Sequence, residues 1–181
     1  LINSQVAVGL SMAAPAIQLF LILLPVITSL LFSDEFIASV EYSAVAVLSV
    51  LIVLVSNTLD IFLLSRRRFA VLVPFSLGYR TLQYLISISL YQACGLSGVG
   101  IAMVATASIH LVFFYYYMKH VQNFTFHKDT AFKIIEVFGC AVFSFWMLYI
   151  ASFDHSLFFS VGILFFVSFR TYLFFGANAK R

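Results

Sequence analysis

The sequence predicts an all-α integral membrane protein with six transmembrane helices in three antiparallel hairpins. Three observations carry that expectation: a composition unsuited to a water-facing surface, six apolar runs of spanning length, and basic residues confined to alternate connections. Of the 181 residues, 63% are apolar and only 9% are charged, against roughly 25% charged in a soluble chain. So few polar groups make the bilayer the solvent. This excludes a soluble enzyme, a disordered tail and a nucleic-acid-binding domain. The formal charge of +3 is no basic patch, because in a membrane protein the placement of Lys and Arg carries the information.

A spanning helix needs about 20 mostly apolar residues to cross a hydrocarbon core of about 30 Å. Runs of this kind cover Val6–Phe32, Val40–Leu64, Phe69–Tyr91, Val99–Met118, Ala131–Ala151 and Leu157–Gly176. The first is longer than an upright span requires, and Pro15 and Pro25 should kink it or shorten its regular part. It lacks the positive n-region of a signal peptide. A barrel strand would alternate polar and apolar residues, whereas Val45–Leu48 and Leu51–Val55 are apolar on every face. The chain begins with Leu and is expected to be a fragment.

Charge placement sets the topology. Arg66, Arg67 and Arg68 follow the second span, Lys119 and Lys128 the fourth, and Lys180 and Arg181 the sixth, while Lys133 opens the fifth. The other connections hold Asp34, Glu35 and Glu41, then an uncharged turn, then Asp154. The positive-inside rule puts both ends and the basic loops in the cytoplasm. Short connections make consecutive spans antiparallel neighbours. The chain thus divides into a four-helix membrane block over residues 1–118, a basic cytoplasmic loop over 119–130, and a terminal hairpin over 131–181. The triplet Asn123-Phe124-Thr125 falls on the cytoplasmic side and carries no glycosylation argument.

No metal-binding constellation, nucleophile motif or nucleotide loop is present, so neither a catalytic role nor a cofactor is expected. Cys94 and Cys140 read as inert membrane thiols. Ionisable residues inside spans are different, because each costs at least ~2.5–3.5 kcal/mol to insert. Arg80 lies eleven residues into the third span, ~16 Å deep at helical rise. It must face protein or water, and its planar fork suits phosphate oxygens; a structural partner on a neighbouring helix is the alternative. His110, eight residues from the cytoplasmic end of the fourth span, sits at similar depth. It either lines the same cavity or is a hydrogen-bonded core histidine. Asp60, one turn after Asn57, gates the cytoplasmic mouth, pairs with an arginine, or answers the headgroups and the arginine cluster beside it. Glu136 and Arg170 share a depth on the last two spans and suggest an ion pair, with a second cavity as the alternative. Arg66–Arg68 reads as a topology signal that contacts anionic phospholipid headgroups. The run Phe113–Tyr117 reads as an interfacial anchor, and Gly95–Gly100 as a small-residue turn that lets two helices approach.

The order of these features resembles the C-terminal half of a polysaccharide (O-antigen) flippase of the multidrug/oligosaccharidyl-lipid/polysaccharide (MOP) superfamily. The resemblance rests on Ala14-Pro15…Leu24-Pro25 running into Leu31-Phe32-Ser33-Asp34-Glu35-Phe36. It continues through the basic turn Leu63-Leu64-Ser65-Arg66-Arg67-Arg68 and the glycine-rich turn Cys94-Gly95-Leu96-Ser97-Gly98-Val99-Gly100-Ile101-Ala102. The terminal hairpin fits by position and hydropathy. The resemblance implies one bundle of a two-bundle transporter in the bacterial inner membrane. Such a transporter moves an undecaprenyl-pyrophosphate-linked oligosaccharide between leaflets by alternating access. Its implied partners are that lipid-linked substrate, a missing N-terminal six-helix bundle and other polysaccharide assembly proteins. Rival readings are a multidrug antiporter or lipid II flippase of the same superfamily, or a membrane enzyme or subunit of polysaccharide assembly.

The topology is open to a direct measurement. In a variant whose native cysteines are replaced by serine, a cysteine at position 154 should react with a membrane-impermeant maleimide from outside the cell. Reaction only after the cytoplasmic face is opened would reverse the orientation.

Overall fold

The computed structural model describes residues 2–31, 37–150 and 156–178. Among them the chain is helical apart from short connections: α1 (Ile2–Leu31), α2 (Ile37–Ser65), α3 (Phe69–Cys94), α4 (Leu96–Gln122), α5 (Lys128–Phe145) and α6 (Ser156–Asn178). A π-helical turn, Trp146–Ile150, extends α5. Five of these elements are long and apolar enough to cross a membrane: α1, α2, α4, α5 with its π turn, and α6. α3 is long enough, at 26 residues, but Arg80, Thr81, Gln83 and Gln92 dilute its apolar content. Residues 32–36, with Asp34 and Glu35, and residues 151–155 and 179–181, with Asp154, Lys180 and Arg181, lie outside the described residues.

The packing departs from a row of consecutive hairpins. α1 meets α2 and α3 meets α4, as neighbours in sequence should, but the most extensive contact joins α2 to α4. α5 and α6 each press on α1 more than on one another. The reason lies in the buried stripes. α4 buries Gly98, Ala102, Thr106, His110, Phe114 and Met118, a strict four-residue ladder that forms one ridge along the helix. Its upper rungs are small, so the backbones close in. A Cβ on Gly100 would stand 3.1 Å from the Tyr42 carbonyl oxygen. On α2 the neighbours of Gly100 are Tyr42 and Val45, while Ala44, Leu48, Leu51, Val55, Leu59 and Leu63 join α1 and the last rungs Phe114 and Met118 in the apolar core. α3 buries nothing and lies at the edge against α4.

Gly95 alone connects α3 to α4, with φ +66, a backbone region glycine enters without a Cβ penalty. Gly98 follows because a Cβ there would overlap the Leu90 carbonyl. At the other end of α4, Asn123 takes the left-handed conformation, and the N–H groups of Asn123 and Phe124 both donate to the Met118 carbonyl, which stops the helix.

α1 runs unbroken through Pro15 and Pro25, so the expected shortening does not occur. Each proline lacks the N–H that would bond the carbonyl four residues earlier: Ser11 for Pro15, Leu21 for Pro25. Other helices supply the missing donors. Thr171 Oγ1 on α6 donates to the Ser11 carbonyl at 2.9 Å, and Tyr149 OH in the π turn donates to the Leu21 carbonyl at 2.8 Å. Transmembrane prolines are tolerated where neighbouring side chains satisfy the freed groups in this way. A third tie joins the start of α1 to the α4–α5 connection, where the Asn3 side-chain oxygen accepts from His127 N–H at 3.3 Å.

Thr171→Val should therefore destabilise the chain by about 0.6 kcal/mol, the mean for hydrogen bonds measured inside membranes, and by at most about 1.7 kcal/mol. In a Pro15→Ala background the loss should nearly vanish, because that substitution returns a backbone N–H to the Ser11 carbonyl. Unfolding of the four proteins in bicelles measures both; an equal cost in the two backgrounds would detach the threonine from the proline.

Candidate functional site

α2, α3 and α4 enclose a cavity of about 310 Å³ whose lining includes Asn57, Asp60, Ser76, Tyr79, Arg80, Gln83 and His110. The three residues singled out as cavity candidates, Arg80, His110 and Asp60, thus come together in one place. His110 reaches it because it is a rung of the buried α4 ladder, only 6% exposed. Its Nε2 lies 3.7 Å from Asp60 Oδ2. Three rings hold the imidazole: Tyr79 at 4.4 Å, Phe114 at 4.7 Å and Phe75 at 5.5 Å between centroids. Asp60 Oδ1 is buried and makes no hydrogen bond. Asp60 thus stands beside the imidazole, at a separation longer than a hydrogen bond.

Arg80 sits differently from the expectation of an inward-facing side chain. It lines the cavity but is exposed, because α3 is the edge helix. Nη1 donates to Gln83 Oε1 at 3.1 Å, and the guanidinium carbon lies 5.3 Å from the Tyr79 ring centroid. Sequence reasoning missed Ser76, Tyr79 and Gln83. Their signal was present, since positions 76, 79, 80 and 83 repeat at three- and four-residue spacing and so share one face.

A second cavity, of about 880 Å³, opens between α1, α5 and α6. Glu136 and Arg170 meet here as a bidentate pair, Nε to Oε1 at 2.9 Å and Nη2 to Oε2 at 3.1 Å. Lys133 Nζ stands 3.4 Å from the Phe174 ring centroid. These two charges are at once the expected ion pair and part of a cavity wall. Arg66, Arg67 and Arg68 form the exposed α2–α3 turn, where Arg67 has φ 56 and Arg66 stacks over Phe62.

The aromatic run Phe113–Tyr117 is not an interfacial anchor throughout. Phe114 is fully buried, Phe113 stacks on Phe75 at 4.0 Å, and Tyr115 stacks on Phe126 of the α4–α5 connection. Helical periodicity distributes adjacent rings among three environments. Cys94 and Cys140 are both free thiols.

Chemically, the smaller cavity offers a guanidinium, a carboxylate–imidazole pair and amide and hydroxyl groups. Such a set has the donors and acceptors that an anionic or polyol-bearing group would need. No family model, no curated protein and no solved structure matches the chain. The class it defines is therefore drawn from the fold and the site alone: a multi-pass helical membrane protein with a polar cavity walled by three of its helices.

Asp60→Asn and His110→Asn should be non-additive in thermal unfolding in detergent, with a coupling of about 0.5–3 kcal/mol, as for residues in contact. Strict additivity would place the two groups out of reach of each other.

Proposed function

We propose that the chain is one bundle of a transporter that carries an undecaprenyl-pyrophosphate-linked oligosaccharide across the bacterial inner membrane for O-antigen or surface polysaccharide synthesis. In this reading α3 is a sixth span, both ends of the chain are cytoplasmic, and the α2–α3–α4 cavity faces a second bundle across an aqueous space. The observation that carries the reading is Arg80. It lines a polar cavity on a helix that buries nothing, alongside Gln83, Asp60 and His110. An exposed guanidinium at that depth is costly against lipid and acceptable against water. A helix with Arg80, Thr81 and Gln83 on its open side suits a water-filled path better than an acyl environment. The pyrophosphate pairs with the five-donor fork of Arg80, and sugar hydroxyls pair with Gln83, Asn57 and Ser76.

The Asp60–His110 pair favours a second reading, a cation-coupled antiporter of the same superfamily. A buried carboxylate is the usual device for binding a coupling cation, and here it lies in the same cavity as Arg80.

Surface glycan production in cells lacking their own flippase, with the complementing bundle supplied and membrane levels measured in parallel, tests the first reading. Arg80→Lys should retain part of the export, since it keeps charge but loses bidentate geometry. Arg80→Ala should lose more at unchanged protein level. Full export by Arg80→Ala would refute the substrate role. Drug or cation efflux without glycan export would favour the antiporter.

A further inference from the structure

The larger cavity is unused by the proposed transport path, and its wall charges do not balance. Lys133 and Arg170 face a single carboxylate at their level, Glu136, so two cations and one anion leave an excess of one positive charge. Asp129 also borders the cavity, but in the first turn of α5, where the helix N-terminus engages negative charge. Arg170 gives two of its five N–H groups to Glu136, and its side chain is nevertheless 49% exposed. A guanidinium with further donors at membrane depth suits an oxygen-rich anion. Around this polar floor the wall turns apolar, with Phe132, Leu173 and Phe175. Lys133 lies five residues into α5, about 7.5 Å along the axis, within snorkelling distance of the headgroup layer.

From this charge and shape complementarity we infer that the α1–α5–α6 cavity is a resident site for one anionic phospholipid. Its phosphate sits between Lys133 and Arg170, and its acyl chains run along the phenylalanine-lined wall. The leaflet is the cytoplasmic one if the orientation given above holds; the site itself does not depend on the transport reading. The lipid fills the gap that α5 and α6 leave by packing on α1 rather than on each other, and so completes the bundle.

Native mass spectrometry of the full chain, titrated with dioleoyl phosphatidylglycerol and with dioleoyl phosphatidylcholine, tests the site. One phosphatidylglycerol should be retained with clear preference over phosphatidylcholine. Lys133→Gln should weaken that retention about tenfold, the effect of losing one charge-assisted contact. The double variant Glu136→Gln/Arg170→Gln, which removes the guanidinium without stranding its partner carboxylate, should weaken it as well. Arg80→Gln, in the other cavity, should leave it unchanged, and glycan export does not enter the readout. Equal retention of the two lipids, or retention unaffected by Lys133→Gln, would overturn the proposal. Displacement of phosphatidylglycerol by undecaprenyl phosphate at much lower concentration would also overturn it, assigning the cavity to a polyprenyl substrate.

Discussion

In a bilayer a backbone carbonyl without a donor has no water to turn to, and α1 holds two such carbonyls because Pro15 and Pro25 give no N–H to Ser11 and Leu21. Thr171 and Tyr149 answer them from α6 and from the end of α5. The placement of the last two helices follows. α5 and α6 touch each other less than they touch α1, and each is fastened to α1 through a hydroxyl. The residues that complete the fastening are small or slender on α1 itself, Ala7, Ser11 and Ala14, so the neighbours can approach. Without these bonds the prolines would leave α1 with orphaned acceptors on the face it shows to the terminal pair.

A second constraint governs the other half of the molecule. The α4 ladder begins with glycine and alanine, passes through Thr106 and His110, and ends in Phe114 and Met118. Thr106 satisfies its hydroxyl on the Ala102 carbonyl at 2.7 Å, within its own helix, and needs no partner on α2. The histidine cannot do the same. It meets Asp60 on α2 and a ring of aromatic side chains, and this is where the packing opens into a polar cavity. Site and core are built from one row of residues.

Much of this was legible in the sequence, and the limits have physical causes. Helix positions followed from apolar run length, with ends shifted by up to about four residues, since caps and turns are set by backbone geometry rather than hydropathy. Arg80, His110 and Asp60 stood out because of the cost of inserting a charge; depth suggested a common place for Arg80 and His110, whereas Asp60 fell at the cytoplasmic mouth. Which helices touch followed only for α1 with α2 and α3 with α4. Sequence adjacency suggested that α5 pairs with α6, whereas hydroxyl donors at Thr171 and Tyr149 direct both to α1. Those donors become informative only when counted against the carbonyls that the prolines release. The exposure of Arg80 also escaped the sequence, because nothing in α3 alone reveals that it is an edge helix. The aromatic run misled for a simpler reason: five adjacent rings look like a belt in one dimension and point three ways on a helix.

The π-helical turn at Trp146–Ile150 carries a consequence for how the gene can change. A π turn is the trace of one residue inserted into an α-helix, and here it brings Tyr149 round to the Leu21 carbonyl. Losing one codon in this stretch would restore ordinary winding, turn every later side chain of the helix by about 100° and swing the phenol away from α1. The Leu21 carbonyl that Pro25 frees would then lose its donor.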